Sequence, residues 1–521
     1  MHWMTELGGK FNQFSQAMLL TLPPAVDAER LRRTLDAVVD GHDALRARFW
    51  MNSDGHWQYE TMPVGSGSPN LHRVEFDEEV GTPDFADRVR AEHDAAARRL
   101  NPAAGDMLQC VWFDPAGGGG ATAGKLLILA HHLVVDGVSW RILLPDLANA
   151  WAQSERADSI ALPPVVTSAR RWAHVVNELA SAPETAAELQ WWLDTSTEPD
   201  PPLGSSEFHP HEHMMGQLST CNIAVPADIA DPVINDLPRL YRSGVNDAML
   251  AALALAVARY RHRRSSTHRE LLLNLEGHGR EENLIPGADL SRTTGWFTNV
   301  FPARITVSET AVEAELGARE ASDLLKSVKE QLVAIPRKGM GYGQLRYVNP
   351  ETTGHFGSAQ IPQIAFNYLG RVGGSAVADQ AQQFGWLPDG SVTGANGTAD
   401  DSMGPAALNI NITAVQDESG VQLRGSLSYI NTLFTDADAE ELVDLWTQAL
   451  SELSALALHT EFATVTPSDV PLVAVDQRTL DSLVHRYRDA GLEVRDVWSL
   501  SPFKVACCSM HCCLGTNATS M

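Results

Sequence analysis

The chain has 521 residues, 44% of them hydrophobic and 20% charged, enough for two lobes with a sizeable core rather than one ordinary domain. Its formal charge of −26 speaks against a nucleic-acid partner, because phosphate binding draws on clustered Lys and Arg. No apolar run approaches the roughly 18 residues of a membrane span and no signal-peptide pattern opens the chain, so a cytoplasmic protein with no membrane partner is expected.

Taken in order, residues 1–22 already read as domain interior, with Trp3, Phe11, Phe14, Met18 and Leu20 too apolar for a free terminus. Leu31, Leu35, Val38 and Val39 recur with helical spacing after Pro23 and Pro24. A strand is expected over 57–62, a polar amphipathic helix over 84–100, and two strands over 108–113 and 125–131 joined by the glycines of 117–120. Trp140, Leu143, Leu144, Leu147 and Trp151 then keep a helical period, with a local kink expected at Pro145.

Residues 195–216 turn rich in Pro, Ser and Glu and suggest a connection between lobes. Its alternating His209, His211 and His213 could bind metal, but no cysteine lies nearby and a solvated loop is expected. The second half mixes helices (245–264, 314–335, 436–455) with strands (271–275, 363–369) and an antiparallel hairpin over 408–415 and 421–430. Residues 373–404, full of Gly, Ser and Asp, read as a long loop. Cys110 and Cys221 stand alone in apolar surroundings and are expected to be buried thiols. Cys507, Cys508, Cys512 and Cys513 crowd the tail in adjacent pairs, a poor spacing for zinc.

Two stretches carry chemistry. His131 and His132 close an apolar strand and are followed by Asp136, Gly137, Ser139 and Trp140 as a helix begins. Histidine is the side chain whose ordinary pKa lets it move protons near neutrality. Farther on, Glu276-Gly277-His278-Gly279-Arg280-Glu281 also follows a strand, and a carboxyl whose surroundings desolvate it has its pKa raised.

The first stretch is an HHxxxDG signature and resembles the condensation-domain superfamily of nonribosomal peptide synthetases. EGHGRE resembles the motif that marks the epimerization branch, toward which Ser139-Trp140 also leans. The segments at 292–302 (RTTGWFTNVFP), 336–343 (PRKGMGYG), 366–370 (FNYLG) and 245–250 (VNDAML) resemble further blocks of that branch, in the same order. The resemblance covers roughly residues 1–460. It departs at the start, where Met1-His2-Trp3-Met4 begins partway through a PIQxWF block with Met in place of Phe.

The resemblance implies an α/β fold of two chloramphenicol-acetyltransferase-like lobes, a V-shaped pseudo-dimer with a central tunnel. It places an N-terminal lobe at 1–194, the connection at 195–216 and a C-terminal lobe at 217–460. The implied activity is L-to-D epimerization of an aminoacyl or peptidyl thioester. That substrate arrives on the 4′-phosphopantetheine arm of a peptidyl carrier protein, with adjacent synthetase domains as further partners and no bound cofactor or metal. In that scheme His132 faces the substrate opposite Glu276, His131 packs inward, and Asp136 fixes the turn by an ion pair, commonly with an arginine. Gly137 and Ser139 support the turn, and Tyr342 and Asn367 shape the tunnel. Alternatives are a condensation domain of the same fold or an inactive carrier-docking fragment. Arg259, Arg261, Arg263, Arg264 and Arg269 would either meet an acidic carrier or the pantetheine phosphate, or simply complement a helix C-terminus.

Residues 461–502 resemble a linker and the start of a following condensation domain. One extra base ahead of the Phe503 codon turns a possible coding of residues 503–513 into LQGGLLFHALL, which resembles that domain's opening. Residues 503–521 are therefore expected to be out-of-frame coding without a defined fold.

Overall fold

The computed structural model describes residues 1–499 apart from 8–10, 24–25, 68, 117–122, 157–158, 373–385, 390–394, 398–403, 405, 419 and 460–462. The expectations for the 117–120 loop and the 503–521 tail lie outside the described residues.

Two six-stranded sheets organise the chain. The first uses β1 (Ser15–Thr21), β4 (Asn70–Phe76), β5 (Leu108–Pro115) and β6 (Lys125–His131), with β2 (Ala47–Met51) and β3 (Trp57–Thr61) forming a separate ribbon. The second uses β7 (Leu218–Val225), β8 (Glu270–Gly277), β9 (Asn299–Thr306), β10 (Ile364–Val372), β13 (Leu408–Asp417) and β14 (Gly420–Ile430). Its order is β7-β14-β13-β10-β8-β9, so β8 lies between its antiparallel neighbour β9 and parallel β10. Helices α1 (His2–Leu7), α2 (Ala28–Gly41), α3 (Pro83–Ala97) and α4 (Gly137–Ser154) belong to the first half. In the second half are α5 (Val245–Arg263), α6 (Ala318–Val333), α7 (Asp436–Ser454) and α8 (Gln477–Asp489). This is the two-lobed α/β class expected.

Each lobe closes on its own apolar core. In the first, α2 and α4 lay Leu31, Leu35, Val38, Leu143, Leu147 and Trp151 over β1, β5 and β6. In the second, the nearly all-apolar α5 is buried over most of its length between the sheet and its neighbours, as an apolar helix must be. Among the described residues no helix is long and apolar enough to cross a membrane.

Several expectations need correcting. The glycine-rich 373–404 stretch contains β11 (Leu387–Asp389) and β12 (Ala395–Gly397), which pair with β1 of the other lobe and are too short to show a period in sequence. The same stretch sinks Trp386 into the first core against Trp151. Helix α4 continues across Pro145, which forgoes only the hydrogen bond its nitrogen cannot make. Cys110 is buried and its thiol pushed up to about 12, but Cys221 is only half-buried because β7 is an edge strand. Residues 463–489 are more than a linker. A short turn and α8 dock on α6 through Lys329–Asp469 (2.7 Å) and Lys326–Asp481 (2.9 Å), around buried Val465, Val470 and Leu480.

The arginine cluster holds two buried members and two exposed ones. Arg259 holds Glu452 and Arg261 holds Asp200, all four side chains buried, while Arg263 and Arg264 pair with Glu441. The carrier-facing reading thus fails for Arg259 and Arg261, whose charges are spent inside the lobe, whereas Arg263 and Arg264 remain exposed to water. Asp200 also receives Gln363 Nε2 at 3.1 Å, which anchors the connection between lobes.

Candidate active site

Strand β6 is buried along its whole length, so the chain must leave it with His131 already inside. Its Nε2–H donates to Phe11 O at 2.9 Å and its Nδ1 accepts from Leu133 N–H at 3.2 Å, which uses both ring nitrogens in the neutral state. Burial pushes this imidazole down to about 3. His131 therefore packs inward, with both ring nitrogens bonded within the first lobe.

His132 turns the other way. Its ring stacks on Phe14 at 4.8 Å and meets Trp296 of the second lobe at 4.9 Å, and its Nε2 lies 3.0 Å from the Gln16 side-chain amide nitrogen. Nδ1 makes no hydrogen bond of normal geometry. Burial in this aromatic clamp pushes the ring down to about 4, against smaller upward pulls from nearby backbone and Asp136.

Asp136 caps α4, accepting from Ser139 N–H at 2.7 Å and from Ser139 Oγ at 2.8 Å. Its other partner is Arg280 Nη2, at 3.0 and 3.1 Å from its two oxygens, with both side chains buried. Phe297 N–H adds a bond at 3.2 Å, and Ser139 Oγ bonds the Gly295 backbone. The arginine expected for Asp136 is thus supplied by the EGHGRE motif itself.

Glu276 is the last side chain on β8, after the buried run Leu271–Leu275 and opposite Val300 on β9. Its side chain is exposed to water although protein atoms surround it. Desolvation pushes its carboxyl up to about 7. The chain then reverses at Gly279 (φ +64), where a Cβ would stand 1.8 Å from Phe297 O, so only glycine fits. The turn delivers Arg280 under Phe297, where it also donates to Thr293 O at 2.6 Å. Glu281 is taken by Lys338 (3.1 Å) and His278 (3.3 Å).

The two strand ends are therefore tied together. Asp136 follows His132 by four residues and Arg280 follows Glu276 by four, and their ion pair joins the two turns. The segment between them touches both, with Trp296 on His132 and Val300 paired to Glu276. Four residues span at most about 14 Å. A second cross-lobe tie has Asp146 held by His42 at 2.7 Å and Arg292 at 2.5 Å.

Other expected residues fare differently. Gly137 opens α4 with open space where a Cβ would be. Tyr342 packs in the second core, against Trp192 (5.3 Å) and Phe356 (5.7 Å), with its hydroxyl bonded by Arg346. Asn367 is half-buried on β10, paired with Asn411 of β13. The loop at His209 and His213 is exposed and closed by a bond between these two residues. Sequence reasoning missed Gln16 as a neighbour of His132, and Trp140 as the partner that holds Gln16. A separate groove of about 580 Å³ between α2 and residues 160–164 is lined by none of these site residues.

Comparison with known proteins agrees with this architecture. The chain is 32% identical over 502 residues to a linear gramicidin synthase protein of Brevibacillus parabrevis, covering 95% of this chain but 6% of that protein's length. In structure it is similar to the epimerization domain from the third module of tyrocidine synthetase B (TM-score 0.72, 24% identity, 88% of this chain and 96% of that one). It is also similar to the first condensation domain of the CDA synthetase (TM-score 0.60, 16% identity, 87% and 93%). Those likenesses carry the fold; the family model named Condensation domain, which matches residues 1–470, carries the kinship, and the chain belongs to the condensation-domain family.

Proposed function

We propose that this domain inverts the α-carbon of an aminoacyl or peptidyl thioester presented on the 4′-phosphopantetheine arm of a peptidyl carrier protein, within a larger synthetase. The observation that carries the reading is the buried Asp136–Arg280 ion pair, which ties the turn after Glu276 to the turn after His132, with the Glu276 carboxyl pushed up to about 7 by desolvation. Near pH 7 His132 rests as the free base, while Glu276 is close to evenly divided between acid and carboxylate, so a substantial share of it can donate a proton.

That pairing suits proton exchange at a thioester α-carbon, whose hydrogen is acidified because sulfur donates poorly to the carbonyl. In one direction His132 takes the α-proton and the bond's electron pair enters the thioester enolate. Glu276 then delivers its own proton to the opposite face, leaving imidazolium and carboxylate. The other direction uses the same groups in exchanged roles, and water returns the proton between turnovers.

The decisive assay loads a carrier with an L-aminoacyl or peptidyl group and incubates it with the domain in D₂O. Deuterium at Cα with a D/L mixture is expected, and Glu276→Gln should lower it by at least about a hundredfold. Near-normal exchange in that variant would remove Glu276 from the chemistry. Amide product with a second loaded carrier would instead make the domain a condensation catalyst, and neither product would leave carrier docking alone.

A further inference from the structure

Gln16 stands on β1, which pairs with β6 along its length, and its side-chain amide makes two hydrogen bonds at once. Trp140 Nε1–H donates to Gln16 Oε1 at 2.9 Å, and Gln16 Nε2 lies 3.0 Å from His132 Nε2. An indole N–H only donates, so the amide oxygen must face Trp140 and the NH₂ must face the imidazole. An amide NH₂ does not accept, so His132 Nε2 is the accepting nitrogen and the ring proton sits on Nδ1.

We propose that Gln16, oriented by Trp140, is a positioning residue that holds His132 as the neutral Nδ1–H tautomer and presents Nε2 as its basic end. This rests on the epimerization reading, to which it adds the protonation state in which His132 waits for the substrate: the Nε2 lone pair is held by Gln16 and must leave that bond before it can accept a proton. Protonating Nε2 sets an N–H against the Gln16 NH₂, and turning the amide sets that NH₂ against the Trp140 N–H. Either arrangement faces donor with donor, so the pair opposes imidazolium. The lock is firm because Trp140 is buried in the first core.

The surroundings add little that could override it. Asp136 is the nearest carboxylate, and Arg280 neutralises it. His131 is neutral in its own bonds. Phe14 and Trp296, which pack against the ring, carry no charge. Trp140 thereby connects the helix that follows the histidines to the nitrogen that acts.

The test uses the full chain with ¹⁵N-labelled histidine. Long-range ¹H–¹⁵N spectra without substrate should show His132 bare at Nε2 and protonated at Nδ1 at neutral pH. Gln16→Glu, whose carboxylate accepts from both neighbours, should move the proton to Nε2 and raise the ring's pKa by about one unit or more. On a loaded carrier its acid limb should shift upward with the ring, with kcat down about tenfold and KM held, as expected for a proton-transfer step. Trp140→Phe, which frees the amide to turn, should give mixed tautomers and a smaller loss of kcat. A wild-type ring protonated at Nε2 overturns the proposal, as does a folded Gln16→Glu protein with unchanged tautomer and pH profile. If the wild type shows the expected tautomer but exchanges no α-hydrogen, the epimerization reading falls while the Gln16 assignment stands.

Discussion

His132 leaves its strand into a clamp of rings, whereas Glu276 leaves its strand with its side chain exposed to water. Desolvation acts on both and favours the neutral form of each, so it lowers the histidine and raises the carboxyl. The same physical cause thus yields a base on one side and an acid on the other. The two ends also differ in how they are held. His132 is fixed by its immediate neighbours, while Glu276 depends on a turn whose purpose is to send Arg280 back to the other lobe.

That dependence gives the largest expected effect. Replacing Arg280 by Met leaves Asp136 buried with a charge and no cation, which costs about 3–5 kcal/mol in a fully desolvated site. Urea unfolding should show the loss, and adding Asp136→Asn should recover part of it, since the orphaned charge goes with the carboxylate. If single and double variants are equally unstable, the pair is not what joins the two turns.

Next in size is a contrast between two glycines. Gly279→Ala must hold φ near +64 and push its Cβ into Phe297 O, which already lies over Arg280, so a loss of about 1–3 kcal/mol is expected. Gly137→Ala meets open space at an ordinary φ and should change stability by no more than about 0.5 kcal/mol. Thermal melts of the two proteins check this. A matched loss in both would mean that the turn after Glu276 is no tighter than the helix start after Asp136.

Much of this was legible in the sequence where a local pattern dictates it. The apolar run before His131, the helical period from Trp140 to Trp151, and the hairpin of β13 and β14 were all in register with the structure. The two motifs fell at strand ends as expected. What stayed hidden depends on contacts across long stretches of chain. Arg280 reaches Asp136 from 144 residues away, and Trp140 reaches Gln16 from 124. No periodicity encodes such a pairing. The packing of Tyr342 against Trp192 was hidden for a related reason, since a tyrosine between glycines looks alike whatever its ring meets. The inner arginines were ambiguous until Glu452 and Asp200 arrived beside them from other parts of the chain.

The smallest effect, and the one that sharpens the comparison most, is pH. Glu276 titrates at about 7 in the folded protein against an ordinary 4.5, so its neutral carboxyl favours the fold at low pH. That advantage is fully present below 4.5 and is lost as pH rises through about 7. His132 titrates at about 4 against an ordinary 6.5, so its neutral ring favours the fold above 6.5, and this is lost as pH falls through about 4. Glu276→Gln should therefore gain Tm relative to wild type as pH climbs between those two carboxyl values and level off above them. His132→Gln should gain relative to wild type in the opposite direction, as pH falls, because the variant has no ring to protonate. Since Glu276 reaches water, its curve should be the shallower of the two. Two difference curves that run parallel, or a Glu276→Gln curve that is flat throughout, would mean that its surroundings do not desolvate the carboxyl, and that Glu276 rests ionised instead of holding the proton that the opposite face of the substrate needs.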